Sequence, residues 1–340
     1  MRSTHHISKR FMMRWNNKIE ESLGVRLGPR ILVVIATIFV IILQILFLAT
    51  LSSQPTHCVP SSPFERIRSN YGTDIETLPI IYVVTPTYAR PVQRAELTRL
   101  SQTLMLVPRL HWIIVEDSIS STELVRKLVS RLKTKFEFTS ITLLNEPTPE
   151  KYKLRPGDPD WKYPKGPWQR NKALEWLRWH NHELDTNGVV YFADDDNTYD
   201  LEIFDEMRST RNVAVWPVGL VGGLLVERPI VFMDQTSNKS RVLGFNVRWE
   251  PSRRFPVDMA GFAVSVRSIL TRPNAAFSCN ERIGYMESHF LGQFVEVPAE
   301  LEPKASDCRR ILVWHTKTKS PALYAEKKLT RPSNSDMEII

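Results

Sequence analysis

Cysteine is scarce in this 340-residue chain, which contains only Cys58, Cys279 and Cys308. So few thiols exclude the disulfide framework that stabilises many small secreted domains. No group of cysteines and histidines has the spacing of a structural zinc site. Internal repeats and low-complexity tracts are also absent, so the chain is not a repeat protein. An odd number of cysteines leaves at least one thiol free or paired with another chain.

Excess positive charge is small outside the first 30 residues. The net charge is +8, but seven basic and only two acidic residues stand before Ile31. Only three of the eight net charges therefore remain for the rest of the chain. Nucleic-acid binding normally requires a pronounced basic surface, so we predict no nucleic-acid partner.

One long apolar run covers residues 31–51, with no charged residue and Gln44 as its single amide. About 20 apolar residues in a helix cross a hydrocarbon core of ~30 Å, so we predict a transmembrane signal anchor. The basic flank predicts that residues 1–30 form a cytosolic tail and that the chain after residue 51 is luminal. A cleaved signal peptide is the alternative, because residues 49–52 include small side chains.

A stem is predicted over residues 52–78, which contain three prolines and no strong hydrophobic period. Cys58 lies in this stem, where two chains anchored side by side would meet. An interchain disulfide in a homodimer is one hypothesis for Cys58, and a free thiol is the other. The remaining residues, 79–340, form the predicted luminal domain. Asn238 begins an Asn-Lys-Ser sequon in that domain and is a predicted N-glycosylation site.

Strands and helices alternate from residue 80 onward. Apolar, β-branched runs predict strands at 80–84, 112–115, 141–144 and 189–193. Residues 93–106, 122–132 and 169–180 have a helical period. This alternation predicts an α/β fold with a mainly parallel sheet and helices on both faces. Beyond residue 202 the chain offers only short strands, at 213–216, 219–226, 242–249 and 262–266.

Three consecutive carboxylates, Asp194, Asp195 and Asp196, follow the strand at 189–193. They would repel one another unless a cation neutralised them, and Mg²⁺ or Mn²⁺ sites combine carboxylates with phosphate and water. A solvated acidic turn is the alternative. Thr87, Tyr88 and Asp117 also follow strands, and ligands of open α/β sheets bind at the carboxyl ends of strands. This convergence predicts a nucleotide pocket.

Several longer motifs resemble the animal β-1,3-glucuronosyltransferases of the Golgi, over about residues 79–320. The motifs are Thr-Pro-Thr-Tyr-Ala-Arg at 85–90, Gln-Arg-Asn-Lys-Ala-Leu at 169–174, the strand and aspartates at 189–199, Trp-Glu-Pro-Ser-Arg at 249–253, and Asp-Met-Ala-Gly-Phe-Ala at 258–263. The resemblance implies a GT-A-type glycosyltransferase fold with a UDP-sugar half, 79–196, and a smaller acceptor half, 197–340. It also implies Mn²⁺-dependent, inverting transfer of glucuronic acid from UDP-glucuronate to O3 of a terminal β-galactose, in a type II Golgi membrane protein.

The resemblance assigns a role to each matched position. Pro86, Thr87 and Tyr88 would form the uridine wall, and Asp117 would bind the uracil imide. Asp195 would hold the ribose, and Asp196 would bind the metal directly. The residues implied for the diphosphate side are Arg170, oriented by Asp194, with Lys165, His315 and Lys317.

For the acceptor, the resemblance implies Trp249, Arg253 and Asp258 as the sugar wall and Glu227 as a contact to the second sugar. Glu287 would be the catalytic base. Two positions depart from the family, because Lys165 and Lys317 stand where it usually has arginine. Lysine keeps the charge but loses the bidentate fork, so donor binding is expected to survive, at lower strength.

Three functions compete at this point. The first is glucuronyl transfer to the galactose-galactose-xylose linker of proteoglycans, which the motifs at 217–221 and 249–253 favour. The second is transfer to galactose of N-acetyllactosamine in glycoproteins, which residues 146–154 favour slightly. The third is a membrane protein that binds UDP or galactosides without turnover; the intact aspartates and Glu287 argue against it.

Overall fold

The computed structural model describes residues 29–52, 72–135, 139–155, 157–159, 162–234, 239–282, 284–335 and 337. The chain forms two compact units, residues 1–61 and 62–340. In the first unit, a single helix, α1, spans Pro29–Ser52. Cys58 and most of the predicted stem, residues 53–71, lie outside the described residues, whereas Gly72–Thr77 at its end form a short 3-10 helix.

The transmembrane prediction for residues 31–51 is not supported by this structure. Helix α1 covers the segment. The side chains at 32, 36 and 47–52 are not among those that the structure describes. Within the ranges given above, no helix meets the length and hydropathy needed to cross a membrane.

The second unit is built on a seven-stranded sheet with the order β11-β6-β10-β4-β1-β2-β3. Its strands are β1 Ile81–Thr87, β2 Leu110–Glu116, β3 Thr139–Asn145, β4 Val189–Phe192, β6 Val213–Val215, β10 Phe262–Ser265 and β11 Glu302–Pro303. The predicted parallel arrangement is confirmed for β4, β1, β2 and β3. Strand β10 differs, because it runs antiparallel to both β4 and β6.

Helices cover both faces of this sheet, as predicted. The helices are α2 Gln93–Leu104, α3 Glu123–Lys133, α4 Pro167–Trp179, α5 Glu202–Met207, α6 Val266–Thr271 and α7 Met286–Leu291. Alternate side chains of each strand point to opposite faces. One set packs against α2, α3 and α5, and the other packs against α4, α6 and α7. Helix α3 begins where expected, because the Thr122 hydroxyl accepts a hydrogen bond from the Val125 amide.

A second sheet has the order β5-β12-β7-β8-β9. Its strands are β5 Thr198–Tyr199, β7 Val218–Gly219, β8 Val226–Asp234, β9 Lys239–Asn246 and β12 Val313–Trp314. The predicted strand at 219–226 is wrong, because residues 220–225 turn the chain between β7 and β8. Residues Ala305–Cys308 form a short turn with positive φ at all four residues, and thus a left-handed backbone.

Candidate functional site

The aspartate triplet lies at the carboxyl end of β4, beside the ends of β1 and β2. Asp195 is buried, and both of its carboxylate oxygens have partners. The Thr87 hydroxyl donates to Oδ2 at 2.8 Å, and the Arg90 guanidinium donates to Oδ1 at 2.6 Å. Burial raises the pKa of Asp195, and the neighbouring Arg90 opposes the rise. The end of β1 is therefore joined directly to the triplet.

Asp194 forms an ion pair with Arg170 on α4. Another guanidinium nitrogen of Arg170 donates to the Lys165 carbonyl at 2.8 Å. Gly166 makes this possible: its φ is +75°, and a Cβ there would lie 2.5 Å from Arg170 Nη1. The tight turn before α4 thus needs glycine, which allows the arginine to reach back to the triplet.

The Asp196 carboxylate is the member of the triplet without a partner: among the described residues it accepts no hydrogen bond and forms no ion pair. Burial, followed by repulsion from Asp194 and Asp195, raises its pKa to about 6. Its backbone is held, since the Thr316 hydroxyl donates to the Asp196 carbonyl at 2.6 Å.

The unpaired Asp196 carboxylate fits a divalent cation that takes a single carboxylate ligand from the protein. No group of three or more acidic, histidine or cysteine side chains that could hold a metal occurs in the described part of the chain. A cation at Asp196 would take its other ligands from a diphosphate and water, which is how Mg²⁺-like ions usually bind with substrate phosphates. An unpaired, partly buried carboxylate with a raised pKa is a suitable oxygen ligand for such an ion.

His315 faces the triplet because β12 pairs with β5, the strand that begins two residues after Asp196. The His315 ring contacts Asp258 through Nδ1 and Oδ2, 3.1 Å apart. That hydrogen bond, with the charges of Asp258 and Asp194, raises the pKa of His315 to about 9. At neutral pH the ring is therefore cationic, beside three carboxylates and at the border of the neighbouring cavity.

A cavity of about 210 Å³ adjoins this site. It is lined by Val221, Gly222, Glu227, Trp249, Arg253, Val257, Asp258, Gly284 and Glu287. All five residues that the resemblance implies for the acceptor and its activation are in this set. Asp258 belongs to the cavity and also holds His315, so one side chain joins the cavity to the triplet.

Glu227 is a buried carboxylate that faces the cavity with an open acceptor. The residue is about 6% exposed, and Oε1 has no hydrogen-bond partner among the described residues. Burial raises its pKa. A buried, unpaired carboxylate oxygen is costly, so a ligand hydroxyl that donates to it would be bound favourably.

Trp249 and Arg253 form one wall of the cavity. The Arg253 guanidinium lies 4.9 Å from the Trp249 ring and donates to the Trp249 and Gly284 carbonyls at 3.1 and 2.8 Å. Gly284 has a φ of +75°, and a Cβ there would come within 2.0 Å of the Trp249 ring. Glycine is therefore required for the indole to approach the backbone of residue 284 this closely.

Glu287 lies in the first turn of α7 and faces the cavity. Burial, with the negative charge of Asp258, raises its pKa to about 7. The helix is firmly placed, because the Phe290 ring stacks on Phe277 at 3.9 Å between centroids. The Ser288 hydroxyl accepts a hydrogen bond from the Phe255 amide at 3.0 Å. A carboxylate with a pKa near neutrality is suited to accept a proton.

The uridine wall predicted at the end of β1 is open to solvent at Tyr88, whose exposed fraction is 48%. Pro86 is half-buried beside it. The Asp117 carboxylate lies nearby at the end of β2, but both oxygens already accept hydrogen bonds from Thr148, at 2.6 Å each. Asp117 is thus positioned by Thr148, which sequence reasoning did not identify.

The remaining predicted positions are less constrained. The Lys165 and Lys317 side chains are exposed, and neither forms an ion pair within the described ranges. Asn238 lies outside the described residues. Cys279 and Cys308 are free thiols, and burial raises the pKa of Cys308 to about 12.

Comparison with known proteins identifies the family. Residues 100–319 match the family description "Glycosyltransferase family 43". The human galactosylgalactosylxylosylprotein 3-beta-glucuronosyltransferase 3 is 52% identical over 75% of this chain and 76% of its own length. The chain belongs to glycosyltransferase family 43.

Other family 43 relatives agree with this assignment. The Drosophila melanogaster galactosylgalactosylxylosylprotein 3-beta-glucuronosyltransferase I is 48% identical over 78% of this chain and 85% of its own length. The human galactosylgalactosylxylosylprotein 3-beta-glucuronosyltransferase 1 is 49% identical over 76% of this chain and 75% of its own length. Among solved structures, the mannosyltransferase PcManGT of Pyrobaculum calidifontis is a remote likeness, with a TM-score of 0.42 and 15% identity over 76% of this chain and 65% of that chain.

The family predicted from the motifs is thereby confirmed. In this family 43 glycosyltransferase, sequence reasoning missed Arg90, Thr148, Gly166 and Gly284. Arg90 is the last residue of the motif at 85–90, for which the resemblance implies no role at this position. Both glycines stand within five residues of a predicted site residue, and a glycine so close to a site is the available signal for a required positive φ.

Proposed function

We propose that this chain transfers glucuronic acid from UDP-glucuronate to O3 of a terminal β-galactose on the glycosaminoglycan–protein linkage region. The observation that carries the proposal is the cavity in which Glu227, Trp249, Arg253, Asp258 and Glu287 converge, joined by the Asp258–His315 hydrogen bond to the aspartate triplet. The names of relatives at 48–52% identity support the linkage-region acceptor, because they describe a galactosylgalactosylxylosylprotein.

Glu287 is the proposed base. The acceptor hydroxyl loses its proton to the Glu287 carboxylate as its oxygen bonds to the anomeric carbon. The bond from that carbon to the diphosphate oxygen breaks, UDP leaves, and the configuration inverts. A pKa of about 7 suits this role, since a base near the working pH combines an ionised form with useful basicity.

Cationic groups face the proposed leaving group. Arg170, fixed by Asp194, and protonated His315 would bind the diphosphate and favour its departure as an anion. Asp196 would hold the divalent cation, for which we propose Mn²⁺. When bound, this ion would supply positive charge where negative charge accumulates on the leaving diphosphate. Lys165 and Lys317 are both exposed, and we propose that they contribute positive charge to the binding of the diphosphate.

The acceptor would occupy the cavity through stacking and hydrogen bonds. The Trp249 ring offers an apolar face to a galactose, while Arg253 and Asp258 offer a donor and an acceptor for its hydroxyls. The unpaired oxygen of Glu227 would accept a hydroxyl of the second sugar. Tyr88, Pro86 and Thr87 would contact the uridine, with Asp117 at the uracil imide and Asp195 at the ribose.

The fold type, the membrane anchor and the homodimer also belong to the proposal. We propose a GT-A-type fold with a donor half over 79–196 and an acceptor half over 197–340. The uncharged segment 31–51 and its basic flank favour a type II anchor in the Golgi membrane. A homodimer linked through Cys58 would migrate as a dimer on a non-reducing gel, and Cys58→Ser would abolish that band.

An acceptor panel tests the function. The purified protein is given UDP-glucuronate, Mn²⁺ and either a galactose-galactose-xylose primer or N-acetyllactosamine, and the product is analysed for a new 1,3-linkage. We expect transfer to the linker primer. Transfer to N-acetyllactosamine alone would favour the second acceptor class. Binding of UDP without transfer to either primer would identify a non-catalytic binding protein.

A further inference from the structure

Arg90 lies three residues after the end of β1 in the sequence, and its side chain is about 12% exposed. Its guanidinium contacts several groups of the donor site at once. One nitrogen donates to the Tyr88 carbonyl at 3.1 Å, and the other donates to Asp195 at 2.6 Å and pairs with Glu96. The guanidinium carbon also lies 4.5 Å from the centroid of the Tyr88 ring. Arg90 thus joins the aromatic ring at the end of β1 to the middle carboxylate of the triplet.

Two buried carboxylates, Glu96 and Asp195, depend on the Arg90 guanidinium for their counter-charge. Glu96 and Asp195 are about 2% and 5% exposed. Within the described residues, no other basic side chain forms an ion pair with either carboxylate. A buried carboxylate without a counter-charge costs several kcal/mol. Arg90 is therefore the counter-charge for two buried acids, and its position is fixed from both sides.

The same guanidinium orients the Tyr88 ring. A cation over a tyrosine face is attracted by the ring quadrupole. Because Arg90 covers one face and Tyr88 is still 48% exposed, the ring is held with surface available to a ligand. A nucleobase gains binding free energy when it stacks on an aromatic side chain, provided that the ring is in place.

We propose that Arg90 is a positioning residue for the uridine nucleotide, which holds the Tyr88 platform and the Asp195 carboxylate in one fixed geometry. The inference rests on the proposed function and deepens its donor site. Lysine cannot replace this residue, because one ammonium group has no planar fork to join two carboxylates while it covers a ring.

The test compares Arg90→Lys with Arg94→Lys in the full-length protein. Arg94, four residues further on, is a matched control because its side chain forms no hydrogen bond or ion pair among the described residues. UDP affinity is measured by calorimetry with Mn²⁺ present, and KM is measured separately for donor and acceptor. For Arg90→Lys we expect UDP binding about tenfold weaker, which equals about 1.4 kcal/mol. Donor KM should rise and acceptor KM should stay unchanged; Arg94→Lys should match wild type.

A second variant guards against loss of folding. The double change Arg90→Met with Glu96→Gln removes the guanidinium and one of its two buried acids together, and the same selective loss of donor affinity is expected. Wild-type UDP affinity in Arg90→Lys, or an equal rise of both KM values, would overturn the inference while the proposed function stands. A wild-type protein that neither binds UDP nor transfers sugar would instead refute the proposed function.

Discussion

Glu287→Gln offers the sharpest test of the site, because the structure predicts opposite effects on turnover and on stability. Glutamine keeps the shape of the side chain but cannot accept a proton at neutral pH. Loss of a general base typically lowers kcat by about 10²–10⁴-fold. In the wild type, the ionised fraction of a carboxyl with a pKa of about 7 rises from about one tenth at pH 6 to about nine tenths at pH 8. We therefore expect kcat/KM to rise about tenfold between these values.

The stability effect follows from the same pKa. The Glu287 carboxyl has a folded-state pKa of about 7 against an ordinary value of 4.5, so between these pH values the folded state binds more protons than the unfolded state. Stability conferred by the neutral form is then lost as pH rises. The shift corresponds to roughly 3 kcal/mol, and partial contact with water reduces the effect to about 1–3 kcal/mol. Glutamine avoids this cost.

The assay is thermal unfolding of wild type and Glu287→Gln at pH 5 and pH 8. We expect the variant to gain about 2–8 °C in Tm over wild type at pH 8, with a smaller gain at pH 5. Glu175→Gln, at an exposed position on α4 that pairs with Lys172, is the control and should change neither turnover nor the pH dependence. Retained turnover, or a stability difference that does not grow with pH, would refute the assignment of the base.

Three further substitutions probe the walls of the site. Gly284→Ala should displace the Trp249 ring, with which its Cβ would collide at 2.0 Å, and raise acceptor KM about tenfold without changing UDP affinity. Gly166→Ala should push Arg170 off Asp194, because its Cβ would lie 2.5 Å from Nη1, and should weaken UDP binding measured by calorimetry. Asp196→Asn should abolish the gain in UDP affinity on adding Mn²⁺. In the wild type that gain should decline as pH falls below about 6, since protons then compete with the ion for Asp196.

Two other glycines and one other aspartate provide controls for the glycine and Asp196 substitutions. Gly223 and Gly157 also have positive φ, yet a Cβ at either would meet nothing within 4 Å. Gly223→Ala and Gly157→Ala therefore impose the backbone cost of a left-handed residue without the collision. Equal losses in Gly284→Ala and Gly223→Ala would show that strain, not the indole contact, is responsible. Asp200→Asn, four residues after Asp196, should leave the response to Mn²⁺ intact; a lost response there would contradict the role of Asp196.

The regular part of the fold was accessible from the sequence. The four parallel strands and helices α2, α3 and α4 were predicted within a few residues, because apolar periods of two and 3.6 reflect which face of each element is buried. The strands after residue 202 were harder. The predicted strand at 219–226 failed, since a turn between two short strands has the same apolar composition as one longer strand.

The family, the strand–helix order and the acidic, aromatic and basic residues of the candidate site could be predicted from the sequence, because these are properties of local pattern and residue type. Tertiary structure alone decided how they combine. The pairing of β12 with β5 brings His315 to the triplet across more than 100 residues. The hydrogen bond to Asp258 then joins the aspartate triplet to the cavity lined by Glu227 and Glu287. Burial beside Asp258 sets the pKa of Glu287 to about 7, and only the packed fold creates that environment.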